Sequence, residues 1–131
     1  MKNVISVTIS GFLTTIVYYL GGMDMALKTL LLMMLLDYIT GLCKAIVNKR
    51  INSLIGVKGI VKKVGYLVIV SLSFLLDEMV GDNGAIRNLV IYFFVANEGI
   101  SILENWGGMG LPLPKKVFEV LEQIKKEKEG E

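Results

Sequence analysis

The chain has 131 residues, 53% of them hydrophobic and 20% charged, with a formal net charge of +2. Its mean hydropathy of +0.62 is well above what a water-soluble domain of this length carries. Histidine is absent and Cys43 is the single cysteine, which removes the commonest general base and excludes an intrachain disulfide or a two-cysteine metal site. Carboxylates, lysines and hydroxyls are left as the candidates for chemistry, and no metal, cofactor or catalytic group is expected.

The apolar residues come in long blocks separated by short polar ones, as expected when lipid is the solvent. Both prolines lie at Pro112 and Pro114, so nothing interrupts a helix before them. The expected fold is an all-α integral membrane protein, a small bundle of three to four transmembrane helices with a short C-terminal amphipathic helix. Residues 1–110 form the transmembrane domain and residues 111–131 a charged cytoplasmic tail.

The first block, residues 4–20, carries no charge and would make roughly 25 Å of helix at about 1.5 Å per residue, just enough to span. A retained span is expected rather than a cleaved signal peptide, because no small-x-small site follows in Gly21-Gly22-Met23-Asp24-Met25. The seam Ser6, Ser10, Gly11 and Thr14 suits contact with another helix.

The second block, residues 25–47, holds Lys28, Asp37 and Lys44. The lysines can snorkel to the interface; Asp37, near the middle, cannot. An ionised Asp at mid-membrane costs about 2.5–3.5 kcal/mol, so Asp37 should be paired or face protein or water. Asp37, Thr40, Gly41 and Lys44 share one helical face, and Gly41 with Ala45 would let a second helix come close.

Lys44, near the end of the second block, and Lys49, Arg50, Lys58, Lys62 and Lys63, between it and the third, have no acidic residue among them. They are expected to form a cytoplasmic loop. Lys49, Arg50, Lys58, Lys62 and Lys63 are assigned to topology and headgroup contact, because Lys and Arg stay inside and are attracted to anionic lipid. Nucleic acid is not the expected partner, since no aromatics interleave the basic residues.

The third block, residues 64–80, ends on Asp77 and Glu78. These acidic residues, with Asp24 and Asp82 and against a lone Arg87, suit the opposite face, which puts both termini in the cytoplasm.

The fourth block, residues 86–103, is the least lipid-like, and a three-span form would have it lying at the surface. Asn97, Glu98, Ser101, Glu104 and Asn105 recur on it at spacings of three and four. For the hydroxyls the reading is hydrogen bonding between helices. For Asp37, Glu98 and Glu104 it leans to a water-filled lumen shared between copies, because so small a chain offers few internal partners for buried carboxylates.

After the prolines, residues 115–128 read as a helix with Val117, Val120, Leu121 and Ile124 on one stripe, and residues 125–131 are expected to fray. Glu98 with Glu104 is the only pair suited to acid–base work, and no phosphate loop, activated nucleophile or metal-ligand cluster accompanies it. The chain is not expected to be an enzyme.

Several segments in order resemble a known family, the phage lysis and toxin-secretion holins of the clostridial toxin-export type. They are Leu36-Asp37-Tyr38-Ile39-Thr40-Gly41, then Ser53 with Gly56-Val57-Lys58-Gly59-Ile60-Val61-Lys62-Lys63. Asn97-Glu98-Gly99-Ile100-Ser101-Ile102-Leu103-Glu104-Asn105 and Gly110-Leu111-Pro112-Leu113-Pro114 complete the set. The resemblance implies a homo-oligomer in the bacterial cytoplasmic membrane, where associated copies form lesions through which an endolysin or secreted toxin escapes. It supplies no catalytic residues. From the residues alone, a small membrane channel or transporter component is the alternative.

Overall fold

The computed structural model describes residues 1–128 and contains five helices among them: α1 (Lys2–Tyr19), α2 (Met25–Val47), α3 (Ser53–Val80), α4 (Ala85–Gly108) and α5 (Lys115–Lys128). Each boundary has a local cause. Asp24 caps α2 by accepting from the Leu27 N–H at 3.0 Å, and Asn52 caps α3 by accepting from Leu54 at 2.9 Å, as short polar side chains do at helix starts. Gly81 and Gly84 adopt left-handed backbone at φ 76° and 86°, which turns the chain between α3 and α4 at little steric cost. The prolines separate α4 from α5, and the Pro114 carbonyl accepts from Val117 at 2.9 Å. Since α5 runs to Lys128, only residues 129–131 of the stretch expected to fray lie outside the described residues.

The Asn52 cap moves one boundary well away from the sequence expectation. Helix α3 starts at Ser53, so Lys58, Lys62 and Lys63 lie on a helix and the connection from α2 is only residues 48–52. No proline opposes this extension, and Gly56 and Gly59 weaken a helix by only about 1 kcal/mol each.

Helices α2, α3 and α4 are long and apolar enough to cross a membrane. At about 1.5 Å per residue they run roughly 34–42 Å, against a hydrocarbon thickness of about 30 Å. Helix α1 is shorter, roughly 27 Å, and is not among the three. The helix set apart is therefore the first, not the fourth. Its side chains are exposed except for the half-buried Val17, and its aromatic contact with the bundle is the edge-on packing of Tyr18 against Phe74, 6.0 Å between ring centroids.

Helix α4 is the centre of the bundle. It packs along α2 and against α3, whereas α2 and α3 barely meet. The α2 start meets the α4 start through Asp24 and Arg87, and the α2 end meets the α4 end through Asn48 and Gly108. The two are parallel, with α3 antiparallel to both. The core consists of Leu20, of Leu27, Leu30 and Met34 on α2, Tyr66 and Val70 on α3, and Ile91 and Phe94 on α4. Tyr66 and Phe94 stack with centroids 4.1 Å apart. The opposite faces, for example Leu32, Leu35, Ile39, Leu42 and Ile46 of α2, are exposed and apolar, as lipid-facing surfaces are.

A cluster around Arg87 ties one end of the bundle together. Arg87 is 5% exposed. Its Nε donates to the Leu20 carbonyl at 2.6 Å and its two terminal nitrogens fork onto Asp24 at 2.7 and 3.1 Å, a bidentate geometry only arginine offers. From α3, the buried Asp77 accepts from the Ile86 and Arg87 N–H groups at 3.0 and 2.8 Å. This satisfies the exposed donors at the α4 N-terminus.

Gly21 makes this cluster possible, because a Cβ there would collide with the Arg87 side chain, and its φ is +91°. Gly21→Ala should therefore cost about 1–3 kcal/mol. Gly22 has the same backbone, φ +93°, but open space around it, so Gly22→Ala should cost less. Thermal unfolding of the two detergent-solubilised variants checks this, and equal losses would refute the role given to Arg87.

Candidate functional site

The second polar cluster lies further along the same three helices and is built around Lys63. On α3, Lys63 falls three and seven residues before the buried Tyr66 and Val70, so helical geometry points it into the bundle rather than towards lipid. Its ammonium donates to Asp37 of α2 at 2.7 Å and to Glu98 of α4 at 2.6 Å. The side chains are nearly enclosed, with Lys63 13%, Asp37 14% and Glu98 0% exposed. One ammonium thus serves two carboxylates from two helices. The second Glu98 oxygen, Oε1, is buried and has no hydrogen-bond partner among the described residues.

The polar seam continues towards the α2 and α4 C-termini. Asn105 Nδ2 donates to Asp37 Oδ1 at 3.1 Å, to the Asp37 carbonyl at 3.2 Å and to Thr40 Oγ1 at 3.0 Å. Thr40 in turn donates to the Leu36 carbonyl at 2.8 Å. Gly41 faces Asn105, whose amide would lie 3.6 Å from a Cβ there, and Lys44 covers Gly108 so closely that its Cε would lie 2.6 Å from one. Asn48 finishes the seam by donating to the Gly108 carbonyl at 3.1 Å.

Because α2 and α3 barely meet, a cleft of about 440 Å³ separates them. It runs from Lys63, Asp37, Ser101 and Asn105 past the small residues Gly41, Ala45, Gly56 and Gly59 to a mouth at Lys44, Asn48, Arg50 and Asn52. Among the described residues no group of His, Cys, Asp and Glu has the arrangement to hold a metal ion.

The structure thus gathers Asp37, Thr40, Gly41, Ser101 and Asn105 with Glu98 at one junction. Lys44 lies apart from Asp37, at the α4 end. Asn97 turns to α3, its amide donating to the Tyr66 hydroxyl at 3.2 Å. Glu104 is half-buried and does not line the cleft.

Lys49, Arg50, Lys58 and Lys62 are exposed, and Lys62 lies over the Tyr66 ring at 5.6 Å from its centroid. Lys63 departs from its expected place at the headgroups. It is the internal partner that so small a chain was not expected to provide for Asp37 and Glu98. Arg87, Asp24 and Asp77 were read only as loop charges, yet Arg87, Ile91, Phe94 and Glu98 form one stripe at helical spacing, which is the signal that places Arg87 inside.

Two carboxyls outside the long helices have shifted acidity. The Arg87 guanidinium, hydrogen-bonded to Asp24, holds the Asp24 carboxyl below the ordinary carboxylate range. Its contribution is present above the ordinary value near 4 and lost as pH falls through the lowered one. Asp82 is pushed the other way by its side-chain hydrogen bond to Asp77. Its contribution is full below the ordinary value and lost as pH rises through the raised one.

The sequence model of the bacteriophage holin family matches residues 14–126. An uncharacterized 14.9 kDa protein in the nagH 3′ region of Clostridium perfringens is 39% identical, over 98% of this chain and 100% of its own length. Protein Lin0175 of Listeria innocua is 36% identical over 88% of this chain and 82% of its own. Protein YqxH of Bacillus subtilis is 34% identical over 86% and 80%. No solved structure matches the chain.

Two outcomes follow from this geometry. Lys63→Met strands two carboxylates against apolar surroundings and should destabilise the protein by about 3–5 kcal/mol, seen as a collapse of membrane-extractable protein. Adding Asp37→Leu and Glu98→Leu to it should restore most of the yield, and failure of that rescue would count against the ionic junction. Asp82→Asn removes the carboxyl that opposes Asp77 and should raise the melting temperature at pH 7.5 more than at pH 4.5. An equal gain at both would mean that Asp77 does not push the Asp82 carboxyl up.

Proposed function

This chain belongs to the bacteriophage holin family, and we propose that it acts as a holin: a non-enzymatic protein whose copies associate in the bacterial cytoplasmic membrane and permeabilise it. The cargo released would be a cell-wall hydrolase or a toxin, and the basic connection at residues 48–52, with the C-terminal tail, would face the cytoplasm; the N-terminus would join them there only with α1 crossing as a fourth span.

One observation carries this reading beyond family membership. Among the three helices long enough to span, each contributes one charged group to a junction inside the bundle, and there Glu98 is fully buried with one oxygen unpartnered. A buried carboxylate satisfied on one side only is costly in a single copy. Turning that face to water between copies would relieve the cost and leave apolar surfaces towards lipid.

The alternative is a channel or transporter component, favoured by the cleft between α2 and α3, which leads from the basic mouth to Lys63 and Asp37. Expression in bacteria separates the two. A holin stops respiration abruptly at a set time and releases a co-expressed wall hydrolase, whereas slow toxicity without release favours the transporter.

Within the holin reading, Asp37→Leu or Glu98→Leu leaves Lys63 one carboxylate partner, so each variant should still insert. Each also removes a group that would be hydrated in the lesion, and permeabilisation should be delayed severalfold or abolished. Unchanged lysis timing in both variants would sink the role given to this junction.

A further inference from the structure

The cleft between α2 and α3 has a chemistry that the ionic junction does not use. Its inner end leaves no free cation, because Lys63 is paired with both Asp37 and Glu98. At its mouth Lys44 and Arg50 have no ion-pair partner among the described residues, and the cleft lining has no acidic residue other than Asp37. The start of α3 opens onto the same mouth through Asn52, Ile55 and Gly56, and the first turn of that helix carries no acidic side chain. Two cations thus stand beside the positive end of a helix dipole.

Between mouth and junction the walls are apolar or small: Tyr38, Leu42 and Ala45 on α2, and Ile55, Gly56 and Gly59 on α3. The volume of about 440 Å³ lies within the range of pockets that hold small ligands, roughly 300–1,000 Å³. A ligand complementary to both parts has an anionic head and a hydrocarbon tail.

We infer that the cleft between α2 and α3 is a binding site for one anionic phospholipid, its phosphate held by Lys44, Arg50 and the α3 N-terminus and an acyl chain lying along Gly56 and Gly59. Charge complementarity selects a lipid over a helix from a second copy. A transmembrane helix would bring apolar side chains to the cationic mouth and leave both charges unpaired, whereas a phosphodiester pairs with them. A zwitterionic lipid also fits the shape, but its own cation would oppose Lys44 and Arg50. The site needs only the membrane placement of the bundle and does not depend on lesion formation.

The test is native mass spectrometry of the full chain released from nanodiscs of equal phosphatidylglycerol and phosphatidylcholine. Wild-type protein should retain phosphatidylglycerol by about thirtyfold over phosphatidylcholine, as two cations beside an anionic lipid warrant. Lys44→Gln with Arg50→Gln should abolish the preference. Gly59→Leu should lower retention of both lipids while keeping the charges, because a side chain at Gly59 meets nothing within 4 Å and extends into the cleft. Lys28→Gln, exposed near the opposite end of α2, should change nothing.

Equal retention by wild type and the double variant would overturn the site. So would loss of the bound lipid on adding millimolar inorganic phosphate, which would assign the mouth to a free anion. Loss of self-association in Gly59→Leu with lipid retention intact would also overturn it, and would give the cleft to a second copy of the chain.

Discussion

Charge inside a slab of hydrocarbon is the constraint from which the rest of this bundle follows. An ionisable group stands at each end of the buried stripe of each long helix: Asp24, the α2 cap, and Asp37 flank Leu27, Leu30 and Met34; Lys63 and Asp77 flank Tyr66 and Val70; Arg87 and Glu98 flank Ile91 and Phe94. Those within the helices could not be left facing lipid, where an ionised group costs about 2.5–3.5 kcal/mol at mid-membrane. The helices assemble so that these six groups meet as two sets, each with two carboxylates and one cation. By helical rise the sets are about 16–21 Å apart, with the apolar core between them.

The two sets also fix the geometry of the bundle. With no hydrophobic drive between helices in lipid, packing and polar contacts must specify register. A slip of one turn, about 5.4 Å, would carry both sets out of reach together. The Arg87 set is fully engaged, because arginine supplies a rigid fork of donors and the backbone of α4 supplies two more. The Lys63 set is looser, since one ammonium stands between two carboxylates and Glu98 Oε1 goes without a partner. If one junction yields when copies meet, this is the one whose loss costs less.

The helical content, the apolar exteriors and the break at Pro112 and Pro114 were legible in the sequence, because composition and proline position act locally. So was the polar face of α4 and the need of Asp37 for company. What local reasoning could not supply was the partner. Lys63 follows a run of basic residues that reads as a loop, and only the Asn52 cap, which starts α3 eleven residues before the expected block, turns it inward. Arg87 was hidden by its neighbours in the same way, since a short acidic loop beside a lone arginine looks like a topology signal. The periodicity of Arg87, Ile91, Phe94 and Glu98 would have corrected this had charged residues been counted as members of the stripe.

The position of α1 has a different cause. Its sequence is apolar and uncharged between residues 4 and 20, so by composition it resembles a span better than α4 does. It nevertheless carries no charge that must be neutralised within the bundle, and without one nothing compels it to dock in a single copy. Helix α4 is the reverse case: the polar residues that make it look least suited to lipid are the ones that hold it at the centre, bonded to α2 through Asn105 and to α3 through Asn97 and Glu98. In this fold, apolar character decides which helices can enter the membrane, and buried charge decides which of them stay together once inside. A helix with the first property alone remains available for contacts beyond its own chain, and the seam of Ser6, Ser10, Gly11 and Thr14 gives α1 the small polar face such contacts use.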